Sequence, residues 1–243
     1  MGKRPLVRRR GRGGMQFRAA STGKLLPAKY PRFALAEQRE GEVIDLVHET
    51  GRDAPLAKVR FDNGAVSYFP SILGTRIGSK VQFGLNSKVS SGNVISIQNI
   101  PDGTIVSNVE KHFGDGGCIV KSAGTYATVF SHSSEGVTIK LPSGKFTTLH
   151  PQNRAMIGIL AGGGTGDRPF MRAGPAWRRK RSKGHKYPIV RGVAQAAYVH
   201  PHGGGRHQHV GKSSTVSRNA PPGRKVGSIA ARKTGRARIK ERL

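Results

Sequence analysis

The segment His200-Pro201-His202-Gly203-Gly204-Gly205-Arg206-His207-Gln208-His209 sets four imidazoles within ten residues, as two His-x-His pairs flanking three glycines. Imidazole nitrogens ligate zinc and, with a pKa near neutrality, act as general acids or bases. Either chemistry normally enlists a carboxylate, to orient the histidines or to serve as the base. The bracketing acids are Asp167 and Glu241, far along the chain. The same residues suit RNA better: His and Arg donate to phosphates and 2′-hydroxyls, and glycine lets a chain thread a tight space. The sequence thus implies no catalytic residue, no metal site and no cofactor. A zinc hydrolase built on the four histidines is the enzymatic alternative.

Upstream, Trp177-Arg178-Arg179-Lys180-Arg181-Ser182-Lys183-Gly184-His185-Lys186 joins a dense basic run to the only tryptophan. Such a run clamps phosphates, and the indole can stack on a base or pack locally. Arg224-Lys225-Val226-Gly227 and Arg232-Lys233-Thr234-Gly235-Arg236 continue the basic-glycine theme. Gly162-Gly163-Gly164-Thr165-Gly166-Asp167 lacks the Gly-Lys-Ser/Thr of a nucleotide-binding loop and reads as a flexible join. The RNA-contact candidates at the N-terminus are Arg8, Arg9, Arg10 and Arg12. Arg178, Arg179, Lys180, Arg181, Lys183, Lys186 and Arg191 follow in the long basic run and just beyond it. The last set is His200, His202, Gly203, Gly204, Gly205, Arg206, His207, His209, Lys212, Arg224 and Lys225.

The charge distribution points the same way. The 243 residues carry 42 Lys plus Arg against 13 Asp plus Glu, a net charge of +29, which sets the chain apart from ordinary cytosolic enzymes. Residues 1–35 hold 10 cations and no acid, residues 36–167 hold 12 of each, and residues 168–243 hold 20 cations against Glu241. The ends are rich in Gly, Pro, Ser and Arg, and alone cannot bury enough apolar surface to offset the entropy of ordering. They call for a polyanion. No stretch approaches the ~20 apolar residues of a spanning helix, and the basic N-terminus lacks a signal peptide's apolar run. A soluble intracellular protein with no membrane partner is expected. The single cysteine, Cys118, reads as a small residue on a strand.

The neutral middle must position these ends, and its apolar residues fall in short runs bounded by turn residues, as strands do. The first set is Val43–Val47, Leu56–Phe61, Ala65–Phe69 after the Asp62-Asn63-Gly64 turn, Lys80–Phe83 and Asn93–Ile97. Five short strands suggest an OB-type barrel over residues 37–100. Pro101-Asp102-Gly103 marks a boundary. The second set is Thr104–Val109, Cys118–Val120, Ala127–Phe130, Val137–Leu141 and Lys145–Leu149, an SH3-like barrel over 101–167. Ala155–Leu160 is strand or a short helical turn, and Phe33-Ala34-Leu35-Ala36 one turn of helix. The expected fold is all-β: an OB-fold barrel followed by an SH3-like barrel, with long basic irregular extensions at 1–36 and 168–243.

With these segments in view, the chain closely resembles the family of universal large-subunit ribosomal protein two, in its archaeal or eukaryotic form. The resemblance covers nearly the whole chain and rests on several motifs. They are Gly11-Arg12-Gly13, Ile100-Pro101-Asp102-Gly103-Thr104 through Asn108-Val109-Glu110, and Ser122-Ala123-Gly124-Thr125-Tyr126. Arg191-Gly192-Val193-Ala194, His200 to Gly205 and Pro221-Pro222-Gly223-Arg224-Lys225-Val226-Gly227 complete the set. The segment Arg206 to Lys212 looks archaeal or eukaryotic, because bacterial members usually have an acidic residue after the three glycines. The resemblance implies extensions threaded into large-subunit rRNA, and a His200–Gly205 loop lying toward the peptidyl transferase centre. It also implies support of subunit association and tRNA binding, neighbouring ribosomal proteins as partners, and a cytoplasmic place in the large subunit. Peptidyl transfer itself would belong to the RNA. The competing binding class is a chromatin-like DNA architectural protein.

Overall fold

A computed structural model describes residues 4–31, 37–84 and 87–232. The expected turn at Phe33–Ala36 and the basic residues Lys233 to Arg236 lie outside the described residues. The chain forms two compact units, one of residues 21–171 and one in which the N-terminal residues to 20 join those from 172 onward.

The strands of the 21–171 unit are β1 (Arg39–Val47), β2 (Leu56–Phe61), β3 (Val66–Pro70), β4 (Lys80–Phe83) and β5 (Val94–Ser96). They continue with β6 (Ile105–Ser107), β7 (Ala127–Ser133), β8 (Gly136–Lys140), β9 (Phe146–Leu149) and β10 (Arg154–Ile157). All pair in one sheet in the order β3-β2-β1-β4-β5-β10-β6-β7-β8-β9. The fold is all-β, with an OB-type half, β1 to β5, and an SH3-like half, β6 to β10.

Turn chemistry sets the hairpins. Gly64 at φ +79° closes the β2–β3 turn. The Asn63 side chain there accepts from the Ala65 amide at 3.0 Å, and Phe61 N–H donates to Ala65 C=O at 2.9 Å. Gly144, at φ +77°, serves the β8–β9 turn in the same way. β1 begins four residues before the expected Val43, because Arg39–Glu42 pair with β4. The buried position in that polar stretch is Gly41, where a Cβ would meet the Val59 and Phe61 side chains, so hydrophobicity could not reveal it. Cys118-Ile119-Val120 makes only a bridge between Ile119 and Val109. Cys118 sits in the adjoining loop, exposed, with Sγ 3.0 Å from the Asp115 carboxylate.

Two hydrophobic clusters fill the unit, and β10 serves both. Met156 joins Val94, Val43, Val59, Phe69, Phe83, Ile72 and Leu160, whereas its neighbours Ala155 and Ile157 join Ile95, Val106, Val129 and Ile139. Alternate side chains of one strand point to opposite faces, so a strand with apolar residues at every position is buried on both. That resolves Ala155–Ile157 as strand, while Leu160 makes a single bridge to Ile72. Beyond β10 the chain meets the end of β3: Leu73 N–H donates to Ile159 C=O at 2.8 Å and Ala161 N–H to Ser71 C=O at 2.9 Å. The OB-type half is thus completed by residues that follow the SH3-like strands.

A buried ion pair ties the N-terminal approach of this unit to its middle. Glu110 is fully buried and accepts from Arg154 Nη2 at 2.7 Å, Arg154 Nε at 3.1 Å, Arg154 N–H at 3.0 Å and Gly116 N–H at 3.0 Å. The same guanidinium donates to Pro31 C=O at 3.3 Å and lies 5.8 Å from the Tyr30 ring centre. Tyr30 in turn donates its hydroxyl to Asn108 C=O at 2.7 Å. Burial, reinforced by the charge of Glu110, holds the Tyr30 phenol well above its ordinary pKa, so it stays a donor.

Candidate nucleic-acid interface

The unit built from the two ends contains most of the charge. Its elements are α1 (Leu6–Arg10), α2 (Ala173–Ser182) and a parallel pair of short strands, β11 (Thr215–Val216) and β12 (Ser228–Ile229). These lie in stretches expected to be irregular. α2 forms because alanine and long basic side chains favour helix and Pro175 sits in the first turn, where its missing amide proton costs little. It ends in a glycine cap: Gly184 has φ +70°, its N–H donates to Arg181 C=O at 3.0 Å, and His185 N–H donates to Lys180 C=O at 2.8 Å. A glycine just past a run of helix formers was the available signal. Periodicity hid the helix, since Ala176 is its only buried residue.

α2 displays Arg178, Lys180 and Arg181 to solvent and half-buries Arg179. Arg179, Lys180 and Arg181 occupy its last turn, where cations are favoured by the helix dipole. Trp177 carries the Arg181 guanidinium 5.0 Å from its ring centre, and the Lys180 ammonium lies 4.5 Å from that of Tyr187. The aromatic rings therefore orient cations. A Cβ on Gly184 would come within 2.8 Å of the Ala19 nitrogen, so this glycine lets the N-terminal segment cross the end of α2. That crossing brings Arg10, Lys180 and Lys186 to one cleft of about 390 Å³, together with Phe17, His185 and Ile189.

The His200 loop is packed on itself. Gly203 N–H donates to His200 C=O at 2.9 Å and Gly204 N–H to Gln195 C=O at 3.1 Å. A side chain on Gly203 would collide with the Gln195 and Ala196 carbonyls, and one on Gly192 with the His200 ring. Gly204 and Gly205 have φ +84° and +86°. His200 Nδ1 accepts the His202 N–H at 3.1 Å, which leaves Nε2 to carry the proton of the neutral ring. Burial, with the neighbouring His202, lowers the His200 pKa below its ordinary 6.5. The two rings meet edge to face at 5.1 Å. Among the described residues no three His, Cys, Asp or Glu side chains converge as a metal site.

A second cleft, of about 340 Å³, gathers His202, Lys212 and Arg224 around hydroxyl and amide side chains of Ser213, Thr215 and Asn219. Sequence reasoning picked its cations and missed its neutral polar lining, which has no charge or periodic signal. The other candidates stand apart from these clefts. Arg8, Arg9, Arg12, Arg206, His207 and His209 are exposed, and Lys183 and Lys225 are half-buried. Arg191 bonds to Gln208 at 3.0 Å. None of the candidate cations in this unit is buried, and no Asp or Glu occurs in residues 4–20 or 172–232. Two clefts and an exposed surface, all positive, are suited to binding a polyanion by its phosphates.

Comparison with known proteins agrees with this geometry. The family described as "Ribosomal Proteins L2, C-terminal domain" matches residues 90–225. The chain is 77% identical to the large ribosomal subunit protein uL2 of Cenarchaeum symbiosum over 242 residues, covering 100% of both chains. It is likewise 77% identical to that of Nitrosopumilus maritimus over 243 residues, again with 100% coverage of both. It is 48% identical to that of Sulfurisphaera tokodaii over 236 residues, which are 97% of this chain and 98% of the relative. With relatives matching the chain from end to end, and with both an all-β unit and a basic unit suited to a polyanion in its fold, the chain belongs to the uL2 family of large-subunit ribosomal proteins.

Proposed function

We propose that this structural protein of the large ribosomal subunit works by binding large-subunit rRNA through the unit formed by its two ends. The OB-type and SH3-like domains, residues 37–100 and 101–167, anchor at the subunit surface, and the extensions 1–36 and 168–243 neutralise and order RNA within it. The observation that carries the reading is the concentration of exposed cations, without any acid, in residues 4–20 and 172–232. Arg10, Lys180 and Lys186 in one cleft, and Lys212 and Arg224 in the other, grip phosphates. The His200–Gly205 loop supports the architecture around the peptidyl transferase centre by shape, with His200 neutral and internally bonded. No residue of the chain acts on a substrate; peptidyl transfer is RNA chemistry. Subunit association and tRNA binding follow indirectly from the RNA being held in shape, with neighbouring ribosomal proteins as further partners.

The experiment is fractionation of native lysate on a density gradient at high salt, with the chain followed by quantitative mass spectrometry. Retention in the large subunit is the expected result, and the isolated protein should favour folded large-subunit rRNA over duplex DNA at matched salt. Recovery only at the top of the gradient, or equal affinity for DNA, would overturn the reading in favour of an architectural DNA-binding protein. Stoichiometric zinc lost on His200→Ala would favour the hydrolase.

A further inference from the structure

The SH3-like half carries a surface that charge analysis passes over. Phe130 and Phe146 are 58% and 53% exposed, yet their rings meet edge to face with centres 4.9 Å apart. Register explains the pairing. Between β7 and β8 the partners pass from Val129–Ile139 to Ser131–Thr138, leaving Phe130 as the extra residue of a β-bulge. Bulges re-aim side chains and recur at binding sites. β8 lies between β7 and β9, and its Lys140 is opposite Thr128 on one side and Phe146 on the other. Beside Lys140, a cleft of about 330 Å³ is lined by Tyr126, itself 45% exposed, with Thr125, Thr128 and Pro142.

We propose that this face is a stacking platform for an unpaired nucleotide of large-subunit RNA. Flat, exposed aromatic rings bind bases of any sequence, and a neighbouring cation holds the phosphate. Strands β7 to β9 contain no Asp or Glu, the nearest acid in sequence being Glu135 in the β7–β8 turn; Lys140 faces Phe146 across the hairpin and Lys145 precedes it in the chain. Within the otherwise neutral part of the chain this face is therefore locally positive, as a nucleotide requires. Thr138 and Thr148, whose hydroxyls lie 3.3 Å apart, add donors and acceptors for a base edge or a 2′-hydroxyl. The cleft beside Tyr126 is roomy enough for one base. A protein neighbour would want a broader apolar patch than three rings rimmed by threonines.

The proposal rests on the reading of the chain as an rRNA-binding protein, and its test separates the two. The full chain is irradiated with a single-stranded RNA octamer containing 4-thiouridine, at salt high enough to weaken purely electrostatic contacts, and crosslinks are mapped by mass spectrometry. Two double variants accompany it, Phe130→Leu with Phe146→Leu, and Phe130→Tyr with Phe146→Tyr, each checked for fold by circular dichroism. Crosslinks at residues 126–130 and 140–146 are expected in the parent and in the tyrosine pair. The leucine pair, apolar but without flat rings, should lose them and drop about tenfold in affinity at this salt. Crosslinks confined to residues 4–20 and 172–232 would overturn the platform, leave rRNA binding standing and assign the face to a protein neighbour. Crosslinks on the face that survive in the leucine pair would overturn stacking as the mode of binding. No crosslink anywhere would overturn the platform, while rRNA binding through phosphates is judged by the gradient and folded-rRNA experiments above.

Discussion

His200 is held by its neighbours in one orientation and one protonation state. Its Nδ1 is occupied by the His202 amide and its ring fills the space that Gly192 leaves, so what remains is a neutral donor at a fixed position. Because burial lowers its pKa in the fold, the unfolded chain takes up the proton first as pH falls. The loop's stability should be complete above the unfolded value near 6.5 and decline below it. An NMR titration of the His200 ring should give a midpoint below 6.5; one at or above that value would contradict the burial of the ring beside His202. Glu110 makes the opposite kind of demand, since it is ionically paired with no exposure. Glu110→Ala leaves the Arg154 guanidinium without its carboxylate in a site only 10% exposed, and should cost about 3–5 kcal/mol. Urea unfolding followed by circular dichroism measures it. A loss below about 1 kcal/mol would mean that water or backbone takes the carboxylate's place.

At the scale of elements, β10 decides how the all-β unit behaves. Met156 lies in one cluster and Ala155 and Ile157 in the other, so a change at one residue should be felt on both sides. Met156→Ala should cost about 2–5 kcal/mol. It should also speed hydrogen exchange at Val59 and Val129 together, although these residues sit in different clusters. Faster exchange at Val59 alone would show that the halves unfold independently. The strands with alternating or branched apolar residues, β2, β4 and β8, were legible from sequence to within a residue. β10 was ambiguous because a strand buried on both faces loses the alternation that identifies strands. The early start of β1 was hidden because its inward position is Gly41. α2 was missed because its identity lies in backbone propensity and a glycine cap, while its side chains spell only a basic run.

For the whole molecule, the contrast between a neutral stretch, residues 36–167, and two basic ends was visible in the distribution of charge, because composition needs no geometry. That the two ends belong to one unit was not, since nothing local in residues 4–20 specifies a partner beyond residue 172. The consequence is measurable as salt dependence. Arg10, Lys180 and Lys186 come from opposite ends of the chain but share a cleft. If they grip phosphates together, the triple alanine variant should reduce the slope of log affinity for rRNA against log salt by roughly 2 to 3. An unchanged slope in filter-binding titrations would mean that this cleft faces no phosphate.

The place of β10 in chain order also bears on how the protein is made. Synthesis delivers β1 to β5 first, but the strand that covers β5, and the Ile159–Ala161 segment that meets Ser71 and Leu73, come only after β6 to β9 have emerged. The first barrel must wait, with the edge of Val94 and Ile95 uncovered. A nascent chain stopped short of Arg154 would present that apolar edge to chaperones or proteases. Because β10 pairs with β5 on one side and β6 on the other, both halves gain their shared strand in the same late step of synthesis.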